Sequence, residues 1–408
     1  GRNNAPDPKR YEAGLSTYLE QDWAPWHGVP CYNALYGTSA QVQNRSDRMD
    51  YYYKLVPLWL PACRTNAREV FGLPGALIQH GYLPPVKPDT YAHTHSTWEF
   101  CMEIPAQVLK LLWDRYDYGG DERFLAETAY PAMRELAIFY SHYAKLGEDG
   151  YYHVRPTVSA EYWNWTAQCE KNRDSASALS MLRWLLSTTA EASEILNLDP
   201  DLRGKWREIA ARMAPYPTYE TSEGLIFTDV RDADPIGENY NFFAGFTPTT
   251  LAGEINLDSA QKDREMMLRT TRMVNGWRKD NVLELLGVKK GLKPEQLLNS
   301  RSGRIHLFPA APDDAVVAFR EFQARGGFLV SAQYAKGRIN HVQVGARRDG
   351  TCQVMNPWPG ESVSVVEVGR QTVVEHRLDT DNGECVVFDA EAGGEYALGR
   401  AVTGAKHR

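Results

Sequence analysis

The spacing of apolar residues divides the chain into two parts. From about residue 8 to about residue 300, apolar positions recur at the 3.6-residue period of amphipathic helices. Beyond about residue 315, apolar and polar positions alternate in short runs separated by Gly, Asp and Asn, as is typical of antiparallel strands. Because the helices precede the strands, the order predicts separate helical and β layers, and not a parallel sheet with crossover helices.

Seven segments carry the helical period, at residues 9–21, 49–72, 96–120, 121–147, 175–198, 200–214 and 258–277. Three of them end on glycine, which stops helices, and Asp199 and Asp258 stand before the last two, where a carboxylate would cap exposed backbone amides. Long connections rich in aromatic residues and proline separate the segments, at residues 73–94, 148–170 and 214–247. Connections of that length inside a compact domain predict the rim of a functional site.

Paired helices joined by such loops predict the fold class. We expect a mostly α protein, with an (α/α)6-type toroid followed by a small antiparallel β domain. The period shows fewer helices than six pairs require, so the toroid is expected to be incomplete in this chain. The predicted toroid occupies residues 1–310, a β-sandwich-like domain residues 311–400 and a tail residues 401–408. The β domain is expected to be structural and to pack on the toroid through the turn at Gly326-Gly327.

Composition removes several classes of function. The net charge of −7 over 408 residues gives no basic surface for nucleic acid. No apolar run approaches the ~20 residues that span a bilayer, so membrane insertion is not expected, and the first residues do not form a signal peptide. His93 and His95 flank one threonine without a further ligand at metal-binding spacing, so neither a metal nor a cofactor is expected. Six scattered cysteines leave the disulfide state open, and the oligomeric state is open too.

The stretch VRPTVSAEYWNW, residues 154–165, combines a single acidic residue with a run of aromatic residues. Glu161 is followed by Tyr162, Trp163 and Trp165. Aromatic rings suit the apolar faces of sugars, and a partly dry aromatic surrounding keeps a carboxylic acid protonated. We therefore predict that Glu161 is the general acid of a glycosidase. The plainer alternative is that Glu161 caps a helix or pairs with an arginine.

Five segments in the same order resemble glycoside hydrolase family 95, the inverting alpha-L-fucosidases and their alpha-L-galactosidase relatives. They begin with WDRYDYGGDERFLAETAYPAMRELAIFY and YYHVRPTVSAEYW, and continue through residues 172–196, 204–217 and 297–339. The resemblance implies an (α/α)6 toroid between an N-terminal and a C-terminal β domain. Since this chain has no room for the former, a missing N-terminal domain or a second chain is expected. The resemblance also implies a secreted or periplasmic protein.

The resemblance places the family's general acid on Glu161, within Ser159-Ala160-Glu161, where the family usually has Ser-Pro-Glu. The family's water-activating Asp falls on Glu284 by ungapped counting, or on Asp280 if a few residues are inserted. The two Asn residues that polarise this Asp have no matching pair near Tyr36-Gly37-Thr38. The acid is therefore kept while the base machinery differs.

A third candidate for the base is Glu238, in the loop that replaces the family's His-Arg-His cluster. Each candidate has a plainer interpretation: a loop turn or cap for Glu238, a salt bridge for Glu284 and a helix cap for Asp280. The predicted substrate-binding residues, which combine rings with side chains that donate and accept hydrogen bonds, are His80, His93, His95, Trp98, Trp163, Asn239 and Asn241.

Together these features predict a glycoside hydrolase that acts on an oligo- or polysaccharide. The expected reaction removes a terminal alpha-L-fucosyl, alpha-L-galactosyl or related hexosyl residue with inversion, which needs two carboxyl groups with a water between them. Two alternatives stay open. One is a non-catalytic carbohydrate-binding relative that has lost the water-activating residues, and the other is a polysaccharide lyase on the same toroid.

Overall fold

The computed structural model describes residues 37–78, 100–159, 163 and 165–401. Within these ranges we number nine helices in chain order: α1 Asp50–Phe71, α2 Ile104–Gly119, α3 Tyr130–Tyr143, α4 Ala176–Ile195, α5 Pro200–Ala211, α6 Thr247–Thr250, α7 Gln261–Met273, α8 Lys279–Leu285 and α9 Pro294–Leu297. Residues 37–42 are also helical, and a short helix Glu122–Phe124 and a π-helical stretch Leu125–Ala129 lead directly into α3. Single 3-10 turns occur at Ser46–Met49, Ala167–Cys169 and Ala244–Phe246. The helix predicted at residues 9–21 lies outside the described residues.

Glycine ends two of the helices as the sequence predicts. Gly72 after α1 and Gly120 after α2 adopt φ values of 62° and 77°, a left-handed conformation that glycine adopts without strain. The third predicted stop, at residue 147, is wrong. The helix ends at Tyr143 because the chain then turns extended and Lys145–Leu146 pairs with Tyr152–His153 as a two-stranded ribbon.

The two aspartates predicted to cap helices have other partners, so this prediction is wrong. Asp199 precedes α5, but its carboxylate binds the Arg134 guanidinium at 2.8 and 2.9 Å and accepts a hydrogen bond from Tyr130. Asp258 lies ahead of α7, which begins at Gln261, and accepts a hydrogen bond from Ser302 and a 2.9 Å contact from His306 Nε2. Partners from other elements, and not the local backbone amides, occupy both carboxylates.

Helix α4 is the centre of the helical part. It packs against α2, α3, α5 and α6, and its inward side chains, such as Leu182 and Leu185, are fully buried. Trp206 of α5 and Tyr140 of α3 fill the space beside it. Close contact on several sides is possible because small residues alternate with leucines along α4, whose sequence is ASALSMLRWLLSTTAEASEI.

The structure describes the state of most cysteines and the apolar character of the helices. The five described cysteines are free thiols, at positions 63, 101, 169, 352 and 385. Among the described helices, none is long and apolar enough to cross a membrane.

Two antiparallel sheets form the C-terminal part. Before them, short strands pair as ribbons: β1 Lys145–Leu146 with β2 Tyr152–His153, β3 Thr218–Thr221 with β4 Gly224–Phe227, β5 Asn239–Tyr240 with β6 Asn275–Gly276, and β7 Leu298–Asn299 with β8 His306–Leu307. The strands of the two sheets are β9 Val316–Ala324, β10 Phe328–Ala335, β11 Arg338–Ala346, β12 Gly350–Met355, β13 Val363–Glu367, β14 Thr372–Val373, β15 Arg377–Asp379, β16 Cys385–Ala390 and β17 Glu395–Arg400.

The six-stranded sheet has the order β14-β13-β17-β11-β10-β9, and the three-stranded sheet has the order β12-β16-β15. Both contribute to one apolar core, which contains Val330 and Val344 from the first sheet and Val354 and Phe388 from the second. The same core includes Leu297, ahead of the sheets. The domain boundary at residues 310 and 311 stays a prediction.

The turn at Gly326-Gly327 joins the β domain to the helical part. Both glycine amides donate to the Asp117 carbonyl near the end of α2, at 2.9 and 3.1 Å. Both glycines have positive φ, 87° and 79°, which lets two successive amides point at one acceptor. The Arg325 guanidinium also donates to the Asp117 carboxylate. The prediction that this turn packs on the helical domain is confirmed.

We expect the substitution Asp117→Ala to lower the free energy of unfolding by about 2 kcal/mol, because it leaves the partly buried Arg325 guanidinium without its carboxylate. Urea unfolding followed by tryptophan fluorescence measures this change. The exposed Asp314 offers a matched control, and Asp314→Ala should change stability by no more than about 0.5 kcal/mol. Equal effects of the two substitutions would show that the junction contributes nothing.

Candidate active site

The segment that leads to position 161 is held by backbone hydrogen bonds to elements distant in sequence. The Val158 amide donates to the Phe100 carbonyl at 2.9 Å, and the Thr157 amide donates to the Asn172 carbonyl at 3.0 Å. Ser159 is fully buried, and its hydroxyl donates to Asp229 Oδ2 at 2.9 Å. Residues 157–159 are therefore fixed by contacts with three separate parts of the chain.

Asp229 connects this segment to two others. Its second carboxyl oxygen accepts a hydrogen bond from the Ala244 amide, and its carbonyl accepts one from the amide of Ala176, the first residue of α4, at 2.9 Å. The side chain is fully buried, and burial raises the pKa of the Asp229 carboxyl to about 7. Because both carboxyl oxygens have partners within the chain, Asp229 acts as a positioning residue for the segment at Ser159.

Glu103 lies next to this carboxyl, at the start of α2. It is fully buried, and this burial raises the pKa of the Glu103 carboxyl to about 8, with a smaller contribution from the negative charge of Asp229. Both groups therefore hold their protons to an unusually high pH, since neither can reach water to stabilise a charge. Asp229 and Glu103 therefore form a dry, weakly charged region next to Ser159, whose hydroxyl donates to Asp229.

A second cluster of side chains fixes the N-terminal end of residues 154–159. Asp174 Oδ1 accepts from the Val154 amide at 2.8 Å, while Oδ2 lies 2.6 Å from His153 Nδ1 and 2.9 Å from Arg173 Nε. Asp174 does not cap α4, because Ser175 is the cap and its hydroxyl accepts from the Ala178 amide. Asp174 and Asp229 thus fix the two ends of residues 154–159.

Aromatic side chains follow Ser159. Trp163 is half-buried and forms an isolated antiparallel bridge with Ser159, and the Lys171 ammonium lies 5.7 Å from its ring centre. Trp165 is 40% exposed and meets Phe100 edge to face at 4.9 Å. These rings line the segment, and their contact with a sugar stays a prediction. Asn241, another predicted sugar contact, is exposed directly after β5.

Several predicted site residues cannot be placed. Those that lie outside the described residues are Glu161, His80, His93, His95 and Trp98, and nothing is described of the Asn239 side chain. Their roles stay predictions.

The three candidates for the base occupy different surroundings. Asp280 is in the first turn of α8 and pairs with the Lys289 ammonium at 2.5 Å, with most of its side chain exposed. Glu284 is buried, binds the Lys293 ammonium at 2.7 and 2.8 Å and borders a cavity of about 190 Å³. Glu238 is exposed and makes no ion pair with a described residue. The catalytic role of each stays a prediction.

Sequence reasoning did not find Asp229 or Glu103. Each is a single acid within an apolar run, in LIFTDV and CMEIP. An acid in such a run is a signal for burial, since an unpaired charge is costly there. The sequence does not show that the two acids meet, because residues 103, 159 and 229 belong to segments far apart in the chain.

Two family models match the chain. The glycosyl hydrolase family 95 catalytic domain matches residues 39–226, and the glycoside hydrolase family 95 C-terminal domain matches residues 299–398, so that together they cover well over half of the chain. The chain belongs to glycoside hydrolase family 95. The predicted fold class, an (α/α)6-type toroid followed by an antiparallel β domain, is thereby confirmed.

Solved structures are similar only at low identity. A putative kojibiose phosphorylase from the human microbiome has 9% identity over 85% of this chain and 54% of its own, with a TM-score of 0.44. The alpha-L-rhamnosidase from Dictyoglumus thermophilum has 13% identity over 88% and 45%, with a TM-score of 0.42, and that from Streptomyces avermitilis has 12% over 90% and 38%, with a TM-score of 0.39.

The chain spans about half or less of the length of these solved proteins. No match is found among the curated proteins.

The raised pKa of Glu103 gives a prediction about stability and pH. The folded protein holds this proton up to about pH 8, whereas the unfolded chain releases it near the ordinary glutamate value of 4.5. The contribution of protonated Glu103 to the free energy of unfolding is therefore fully present below pH 4.5, and it is lost as the pH rises to about 8. Glu103→Gln removes this loss, so the melting temperature of the variant relative to that of the unmodified protein should rise between pH 5 and pH 8.

Thermal unfolding at several pH values measures this difference. The exposed Glu148 supplies the control, and the difference for Glu148→Gln should stay flat with pH. A flat difference for Glu103→Gln as well would mean that the buried carboxyl does not titrate in this range.

Proposed function

We propose that this protein is a glycoside hydrolase that removes a terminal alpha-L-fucosyl, alpha-L-galactosyl or related hexosyl residue from an oligo- or polysaccharide. The observation that carries the proposal is the match of the family's catalytic domain to residues 39–226, which include the braced segment and its rings. In this proposal Glu161 donates a proton to the leaving oxygen, and a second carboxylate activates a water on the opposite face of the sugar.

The bracing of residues 154–159 supports the role of Glu161. A general acid must be held close to the atom that it protonates, and small displacements cost much of the rate. Ser159 is fixed through Asp229 and stands only two residues before Glu161. Trp163 and Trp165 bring apolar surface to the same segment, and such surface favours the protonated form of a carboxylic acid.

Among the candidates for the base, Glu238 fits best. A base that takes a proton from water must be accessible to that water, and its carboxylate must not be occupied by a lysine. Asp280 and Glu284 carry such pairs, whereas Glu238 is exposed and makes none with the described residues. Glu238 also belongs to the connection that Asp229 anchors at Ala244.

Replacing Glu161 by Gln tests the proposal directly. Turnover of a natural saccharide, which has a poor leaving group, should fall by roughly 10²-fold or more, because the leaving oxygen then receives no proton. An activated aryl glycoside, whose leaving group needs no proton, should be affected much less. The exposed Glu170 lies nearby in the sequence, and Glu170→Gln should leave both rates unchanged.

Equal losses on the two substrates would exclude Glu161 as the proton donor. An unsaturated product that absorbs in the ultraviolet would identify a lyase. Binding of oligosaccharides without turnover, unchanged by Glu161→Gln, would identify a carbohydrate-binding relative.

A further inference from the structure

Arg278 is a buried charge with unused hydrogen-bond donors. The residue is 3% exposed, and its Nε, Nη1 and Nη2 atoms have no hydrogen-bond partner in the structure as described. Its guanidinium carbon lies 4.5 Å from the centre of the Trp277 ring and 5.0 Å from that of Phe242. The aromatic faces attract the cation but accept none of its N–H groups in the way that an oxygen does.

Arg301, the other arginine that is buried among the described residues, has partners for its guanidinium. Arg301 donates to Glu295 at 2.7 and 3.3 Å and to the carbonyls of Thr249 and Thr250 at 3.1 and 2.9 Å. Such pairing is the rule, since an arginine cannot lose its proton and a buried charge without a partner destabilises the fold. Arg278 departs from that rule and therefore has donors available for a ligand.

The group lies beside the proposed active site. Phe242, which contacts the guanidinium, belongs to the same apolar cluster as Val158, the residue before Ser159. The connection after β6 is fixed to β5, because the Trp277 amide donates to the Tyr240 carbonyl at 3.2 Å. Trp277 is 40% exposed, so this aromatic pair reaches from the buried cluster to the surface.

We propose that Arg278 binds an oxyanion carried by the saccharide, either the carboxylate of a uronate residue or a sulfate ester. The proposal rests on the proposed function and specifies its substrate class as an acidic oligo- or polysaccharide. The planar guanidinium donates two parallel hydrogen bonds to two oxygens of such a group, and this geometry is specific for carboxylates and sulfates or phosphates. The exposed ring of Trp277 offers a surface for the sugar that carries the anion.

The experiment compares Arg278→Met with the unmodified protein. Methionine keeps the linear, apolar stem but removes the charge and the donors. Calorimetric titration measures binding of three kinds of oligosaccharide: one with a uronate, one with a sulfate ester and a neutral one of the same length. Affinity for the uronate or sulfate ligand should fall roughly 10- to 100-fold, the scale of hydrogen bonds to a charged group, while affinity for the neutral ligand stays unchanged.

Two further measurements separate binding from a structural role. The melting temperature of Arg278→Met should be equal to or higher than that of the unmodified protein, because the substitution removes a buried charge without a partner. Arg278→Lys keeps the charge but loses the planar pair of donors, so it should keep only part of the affinity for the acidic ligand. Arg338, exposed at the start of β11, is the control, and Arg338→Met should change neither binding nor stability.

Each other outcome has a defined meaning. If Arg278→Met lowers the melting temperature and lowers the affinity for acidic and neutral ligands equally, the side chain has a structural role and the inference is wrong. If the unmodified protein hydrolyses neutral glycosides with no preference for acidic ones, the inference fails while the proposed function stands. If acidic saccharides bind through Arg278 but no glycoside is hydrolysed, the inference stands while the proposed function fails.

Discussion

The carboxyl group of Asp229 is the contact on which the candidate site depends. Its two oxygens and its carbonyl bind Ser159, Ala244 and Ala176, three residues from separate parts of the chain. A single buried side chain thus sets the distance between the segment that carries the candidate acid and the loop that carries one candidate base. Because these bonds are shielded from water, they are stronger than the same bonds at a surface.

This arrangement has a cost that the rest of the fold offsets. Asp229 and Glu103 lose their hydration, and Arg278 is a charge among rings, so the same small region holds three groups that would be more stable in water. The tightly packed helix α4 and its neighbours provide the apolar burial that compensates. Regions that sacrifice stability in this way are typical of sites that bind or react.

The sequence predicted what short-range patterns determine. The helices at α1, α2 and α4 and the change to period two follow from residues within one or two turns of each other, and so does the glycine stop at Gly72. Strand β9 departs from strict alternation, because its pairing shifts register near Val330 and Glu321 has a left-handed conformation. The sequence did not show the partners of Asp258 and Asp229, because contacts between distant segments have no local pattern. For Asp258, a cap is the usual local expectation, since it stands near the start of a helix.

The β domain is held to the helical part at several places, among them Asp117 at the end of α2, which binds Arg325 and the Gly326-Gly327 turn, and Asp258 ahead of α7, whose carbonyl accepts a hydrogen bond from Asn382. Two separate attachment points prevent the swivelling that a single linker would permit. A chimaera that replaced the C-terminal sheets with those of another protein would therefore assemble only if the donor carried matching groups for both aspartates. The contacts of Asp117 and Asp258 thus make the association of the two parts specific to this chain.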